Sequence, residues 1–223
     1  RVLSDASKLN DLLKEYSFSY REFFNFTTSE NVTLNGWILK PADFDPIKRY
    51  PVFLTQYSGP NSQSALDSWE IGWEDYLSQL GYIIVCVDGR GTGGRGEAFR
   101  KSTYLQLGKY ETIDQIETAR YMSNQPYVDP SRIGIWGWSF GGYISSSCMV
   151  KGNGIFKAGI AVAPVTNWRY YDNIYTERFM RTPQENPQGY DENSPLEFAE
   201  SFEGNLLLCH GTADDNVHVQ NTL

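Results

Sequence analysis

The 223 residues are 40% hydrophobic and 15% aromatic, a composition that suits one globular domain with a sizeable core. A net charge of −8 leaves no basic stripe for nucleic acid. Three cysteines without paired spacing give neither a disulfide framework nor a zinc pattern, and no apolar run approaches the ~18 residues of a membrane span.

Residues Asp5 to Leu13 read as a short helix, capped by Asp5, with Leu9, Leu12 and Leu13 on one face. From Phe18 to Lys40 polar and apolar residues alternate around a break at Ser29-Glu30-Asn31, which predicts a β-hairpin. Pro51 to Tyr57 is a short apolar strand closed by Ser58-Gly59-Pro60. Helical spacing follows over Trp69 to Leu80, with Trp69, Trp73, Tyr76, Leu77 and Leu80 on one side. Tyr82 to Val87 is the continuous apolar run of a parallel strand buried on both faces, and a glycine-rich loop runs from Asp88 to Gly96.

Tyr110 to Met122 reads as a helix marked by Ile113, Ile116, Ala119 and Arg120. Ile133 to Trp138 is a strand and Phe140 to Val150 a helix. Ala158 to Ala163 and Leu206 to Cys209 are two further short strands, read as buried. Cys86 and Cys209 fall inside such runs and are expected as small core residues. Strands alternating with helices predict a parallel sheet covered on both faces.

The strand–turn–helix at Gly137-Trp138-Ser139-Phe140-Gly141 is where chemistry is expected. A bare G-x-S-x-G occurs by chance in roughly one chain of this length in ten, often as an ordinary glycine-rich turn. Between a buried strand and a helix, however, it is the context of a nucleophile elbow, which exposes its serine at the strand's carboxyl end. The Ser139 hydroxyl then needs a base, and the base an orienting carboxylate. Asp214 and Asp215, in the loop after Leu206 to Cys209, are both candidates for that acid, and both also read as solvated loop carboxylates.

The base is harder to find. His218 stands too close to Asp214 in sequence, and His210 precedes it, so both histidines read as structural. The expectation is a fragment whose catalytic histidine lies beyond Leu223. Tyr57 reads from spacing as a packed core tyrosine, although its phenol could donate to an oxyanion. Trp168, Tyr171 and Tyr175 recur at helical spacing, a stripe more often core than pocket. Gly89-Arg-Gly-Thr-Gly-Gly94 matches G-x-G-x-x-G, but it opens no helix directly and the next strand ends in no acidic ribose ligand, so a dinucleotide site is discounted.

Taken together, Arg1-Val-Leu, Tyr57-Ser-Gly-Pro60, Asp88-Gly-Arg-Gly91, Asp114-Gln-Ile-Glu117, Ile135-Trp-Gly-Trp-Ser139, Gly159 to Val165, Trp168, Tyr170-Tyr-Asp172, Tyr175-Thr-Glu-Arg178 and His210 to His218 resemble the catalytic domain of the prolyl oligopeptidase family. The resemblance implies an α/β class chain with an α/β-hydrolase fold. That fold has a mostly parallel sheet with helices on both faces, truncated here at the C-terminus. Residues 1–20 would be the link from an absent β-propeller, and 21–223 the incomplete peptidase domain.

The resemblance also implies roles. Ser139 is the nucleophile and Asp214 the triad acid, with Tyr57 and the Phe140 amide as oxyanion donors. The family usually has tyrosine where Phe140 stands. Val165, Trp168, Tyr171, Tyr175 and Val217 form a proline-binding pocket, and Asn216 contacts the substrate backbone. The groups that hold the substrate's amino terminus lie in the family's propeller. The implied activity is release of amino-terminal dipeptides with proline or alanine in second place, without metal or cofactor, by a homodimer outside the cytoplasm. A non-catalytic binding module of the same fold, or another peptidase or esterase, are the rival expectations.

Overall fold

The computed structural model describes residues 5–223. Residues 1–4, with the Arg1-Val-Leu stretch and the start of the expected 1–20 link, lie outside the described residues. Seven strands form one sheet: β1 (Glu22–Thr27), β2 (Thr33–Leu39), β3 (Tyr50–Thr55), β4 (Ile83–Asp88), β5 (Val128–Trp138), β6 (Ala158–Val162) and β7 (Asn205–Cys209). Their order is β1-β2-β4-β3-β5-β6-β7. The β1–β2 hairpin turns at Asn31, whose φ of 59° is a conformation asparagine tolerates better than most residues. β2 meets β4 antiparallel, and every pairing from β4 through β3, β5 and β6 to β7 is parallel.

The helices are α1 (Ser7–Leu13), α2 (Trp73–Gln79), α3 (Glu97–Lys101), α4 (Lys109–Ser123), α5 (Phe140–Lys151), α6 (Asn173–Met180) and α7 (Pro187–Glu192). The main core lies on the face covered by α4 and α5, where Val52, Leu54, Val85, Ile133 and Ile135 meet Ile144, Cys148 and Met149. A smaller cluster, Trp37, Leu39, Ile84 and Cys86, lies on the opposite face with Leu77 of α2.

That second face is thinly covered, and several sequence expectations fail there. α2 begins at Trp73, not Trp69, because Asp75 accepts the Gly72 N–H (2.8 Å) and fixes the helix start. Trp73 packs edge-on against Phe53 and Trp136, yet Trp69, Tyr76 and Leu80 of the expected stripe are exposed. β7 is an outer strand and is not buried: Leu207 is 56% exposed, and Cys209 is exposed as well. Leu9 and Leu12 of α1 find no core either, although Asp5 does accept the Ser7 N–H at 3.0 Å.

α4 buries Ile116 and Ala119 in the main core, as their spacing suggests, and polar residues beside them. Its buried side carries Glu111, Thr112, Asp114, Gln115 and Thr118, while Ile113 is only half-buried. The polar groups are drawn in because the loops after β3 and β4 need partners. Asp114 takes Arg90 of the glycine-rich loop through Nε (3.1 Å) and Nη2 (2.6 Å), and it also accepts the Arg90 backbone N–H (2.6 Å). Asp88 accepts from the Ser64 and Ala65 amides. The loop therefore folds onto its own carboxylates, and its G-x-G-x-x-G pattern serves close packing: a Cβ at Gly89 would stand 2.9 Å from the Asp114 Cβ.

Glu111 accepts the Gly108 N–H (2.9 Å) at the start of α4, but its buried Oε1 has no partner among the described residues. Burial pushes this carboxyl up to about 8; Asp114 adds to the rise, while the amide bonds and Arg90 oppose it. Above the ordinary value of 4.5 the unfolded chain ionises while the folded one stays protonated, so this group's contribution to stability is full in acid and lost as pH rises through about 8. Glu111→Gln keeps the acceptor and removes the titration. The variant is expected to exceed the unsubstituted protein by ~2 kcal/mol or more at pH 8 and by little at pH 4, read by denaturant unfolding at the two pH values.

Candidate active site

β5 and α5 meet at Ser139, which sits at φ 58° and ψ −116°. For a residue with a Cβ this conformation costs of order 1–3 kcal/mol, and it is tolerated only where the surroundings over-determine it. Two backbone bonds do so: Ser139 N–H donates to Val162 O (2.8 Å), and Ser139 O accepts from Tyr143 N–H (3.0 Å). The turn needs its glycines, since a Cβ at Gly137 would lie 2.4 Å from the Gly141 carbonyl carbon, and one at Gly141 would lie 2.6 Å from Gln56 O. Ser139 is half-buried, and among the described residues its hydroxyl has no hydrogen-bond partner. As the first residue of α5, Phe140 has an N–H with no acceptor inside the helix.

The loop after β7 carries Asp214. Its Oδ1 accepts the Asn216 and Val217 amides, both at 3.0 Å, and these two bonds hold the carboxyl below its usual range. His210 Nε2 is 3.6 Å from Oδ2. That histidine is committed elsewhere: one ring nitrogen meets Val217 O and the other Thr222 Oγ1, both at 2.7 Å. A carbonyl can only accept, so Nε2 donates to Val217 O. His218 and Asp215 are exposed. Neither histidine bonds Ser139 among the described residues.

Beside the elbow lies a group of aromatic rings. Phe140 is buried, 5.5 Å from Trp168 and 6.2 Å from Tyr57 between ring centroids. Trp168 stacks on Tyr175 (5.8 Å) and meets Tyr171 edge-on (5.9 Å), and Tyr171 and Tyr175 are perpendicular at 5.4 Å. These rings do not share one helix, as their spacing suggests. Trp168 is in a 3-10 turn (Trp168–Tyr170), Tyr171 follows it in extended conformation, and Tyr175 is on α6, whose start Asp172 caps by accepting the Tyr175 N–H. Val165 and Val217 are buried in the same cluster. The Tyr171 hydroxyl donates to Asn216 Oδ1 at 3.0 Å, tying the aromatic wall to the Asp214 loop. Burial raises the Tyr175 phenol above its ordinary range.

Tyr57 is not the packed core residue its spacing suggests, for it is 41% exposed. The sequence pattern left Gln56, Ser58 and Gln115 without a role, yet all three are buried around the Tyr57 backbone. The signals for them were that Gln56 and Ser58 flank Tyr57 and that Gln115 falls in the Asp114-Gln-Ile-Glu117 stretch. Among the described residues no group of three His, Cys, Asp or Glu side chains could hold a metal ion.

A family model described as the prolyl oligopeptidase family matches residues 69–223. The dipeptidyl peptidase 4 of Porphyromonas gingivalis superposes with a TM-score of 0.96 at 56% identity, over 100% of this chain and 32% of that one. A probable dipeptidyl-aminopeptidase B of Emericella nidulans is 43% identical over 100% of this chain and 25% of its own length. Its namesake in Ajellomyces dermatitidis is 49% identical over 87% of this chain and 22% of its own. The chain thus spans about a quarter of the curated relatives it matches. With the strand order and covering helices above, the first of these likenesses identifies the architecture as the α/β-hydrolase fold.

Proposed function

The chain belongs to the prolyl oligopeptidase family, and from that premise we propose that it is the catalytic part of a serine peptidase that releases dipeptides from the amino end of peptides with proline, or less readily alanine, in second place. The observation that carries this reading is the strained elbow at Ser139, its hydroxyl without a hydrogen bond among the described residues, beside the Phe140–Trp168–Tyr175 rings. Flat aromatic faces suit the rigid pyrrolidine ring by shape and apolar contact.

In the proposed reaction Ser139 Oγ bonds to the substrate carbonyl carbon and gives its proton to a histidine from a part of the full-length protein outside these residues. Asp214 orients that histidine: its Oδ2 keeps acceptor capacity, since both amide bonds fall on Oδ1. The Phe140 N–H and the Tyr57 phenol stabilise the tetrahedral oxyanion. The C–N bond then breaks, the histidine returns the proton to the leaving amine, and water releases the dipeptide from Ser139 by the same steps. Asn216 and Tyr171 form the wall along which the substrate backbone runs, and Val165 and Val217 back the pocket. The same reading takes a peptide as the partner, a homodimer as the assembly and the space outside the cytoplasm as the setting.

The test is substrate choice. The full-length protein is expected to prefer a Gly-Pro reporter over a Gly-Leu reporter by about 100-fold or more in kcat/KM, the scale a shape-matched apolar pocket reaches. A fluorophosphonate is expected to label Ser139. The 223-residue chain alone is expected to turn over little, and rapid cleavage by it would overturn the assignment of the base to another part of the protein.

A further inference from the structure

The Tyr57 phenol makes no hydrogen bond among the described residues. Its ring touches Phe140 on one side and lies against Gly59, where a Cβ would stand 2.4 Å from the ring carbon Cε1. The position of Tyr57 must therefore be fixed through its backbone, and its two neighbours do the fixing. Gln56 and Ser58 are buried, at 6% and 3% exposure. Ser58 holds φ 62°, a left-handed conformation that costs a non-glycine residue roughly 1–2 kcal/mol and persists only when braced.

The brace is a directed relay of hydrogen bonds. Gln115 of α4 donates through Nε2 to Val87 O (3.0 Å) and to Ser58 Oγ (3.2 Å). Ser58 passes its one proton to Gln56 Oε1 (2.9 Å). Gln56 Nε2 donates to Gly141 O (2.8 Å) and Ser145 Oγ (3.1 Å) in the first turns of α5, and it grazes Trp136 O at 3.4 Å. The relay starts on α4, passes through the residues on either side of Tyr57 and ends on the helix that begins at the nucleophile. The backbones it joins are in close contact: a Cβ at Gly141 would lie 3.3 Å from the Tyr57 Cα, and one at Gly137 would lie 2.6 Å from Gln56 Nε2.

We propose that Gln56, braced by Ser58 and Gln115, is a positioning residue that locks the Tyr57 backbone onto the elbow and so holds the phenol at the oxyanion site. The proposal rests on the peptidase reading given above. An apolar side chain in place of Gln56 would fill the space but leave Ser58, Ser145 and the Gly141 carbonyl without this partner, and Tyr57 free to shift relative to Ser139.

The experiment is a double-mutant cycle in the full-length protein. Gln56→Met and Ser58→Ala are each made with Tyr57 intact and with Tyr57→Phe. Rates on a Gly-Pro reporter are expressed per active site titrated with a fluorophosphonate. Gln56→Met is expected to lower kcat about tenfold or more with KM within about twofold, and to have less than about a twofold effect once Tyr57 is Phe. Ser58→Ala is expected to follow the same pattern with a smaller fall. A fall of equal size in both Tyr57 backgrounds, a change in KM alone, or no change overturns the proposal. Should Gln56→Met fail to fold, Ser58→Ala decides, since it leaves every bond from Gln56 to α5 in place. Failure of the unsubstituted protein to label at Ser139 would sink the peptidase reading and the proposal with it. Normal labelling and turnover without coupling would sink the proposal alone.

Discussion

Ser139→Ala in the full-length protein is expected to lower kcat/KM for a Gly-Pro reporter by about 10⁴-fold or more while leaving the fold intact. The size of the effect comes from the elbow. Ser139 pairs a strained positive-φ backbone with a hydroxyl that has no hydrogen-bond partner among the described residues, and the reading gives Tyr57 and the Phe140 amide the oxyanion, not the attack. Alanine keeps the Cβ and so keeps the backbone geometry set by Val162 O and Tyr143 N–H. Removing one member of a catalytic set costs nearly as much as removing all of it, because the others act only through it. Unchanged circular dichroism and denaturation midpoint alongside the lost rate would separate chemistry from folding. Retention of more than about a tenth of the rate would rule out Ser139 as nucleophile.

Asp114→Ala is expected to destabilise the protein by ~3–5 kcal/mol, the cost of leaving a buried charge without its partner. The Asp114 side chain is fully buried and Arg90 nearly so, and their contact is short on two of the guanidinium nitrogens. Arg90 is held further by Glu30 at 2.7 Å and by the Tyr110 ring beneath it at 4.2 Å. Without Asp114 the guanidinium keeps only that more exposed carboxylate, and the loop after β4 loses the anchor that bonds both its side chain and its backbone. Replacing both partners by apolar residues of similar volume, Arg90→Met with Asp114→Leu, is expected to recover much of the loss, since it removes the charge along with its partner. Denaturant unfolding of both variants checks this. A double variant no better than the single one would show that the anchor matters through its backbone bond.

The strands were legible wherever both faces of the sheet are covered. The run Tyr82 to Val87 is continuous because β4 is flanked on both sides and buried throughout, and that run lies within one residue of the observed strand. Leu206 to Cys209 has the same composition, but β7 is an outer strand, and apolar character alone does not reveal whether anything packs on it. α4 was legible as a helix with Ile116 and Ala119 inward, but its polar contacts were not. Asp114 and Gln115 are drawn inward beside those apolar residues because loops fold onto them, and their partners lie 24 and 57 residues away in sequence. Local patterning cannot report contacts of that range. Ser139 could be read from the strand–turn–helix context, because the strain of an elbow demands small neighbours on either side. Trp168, Tyr171 and Tyr175 looked like one helix because their spacing agrees with one, whereas a 3-10 turn and a separately capped helix bring them together. Gln56 left no pattern at all: a single glutamine at a strand end acquires meaning only when Gly141 and Ser145, 85 and 89 residues later, come within reach of its amide.

The open flank beyond β5 bears on how these 223 residues behave by themselves. Trp69, Tyr76 and Leu80 look out from the α2 side, and the rim of the sheet offers Leu207 and Leu208 to water with a row of amides and carbonyls that pair with no further strand among the described residues. Such a rim is a template on which another extended chain can lay itself. An apolar strand left at the rim of a sheet is a liability until another stretch of chain covers it.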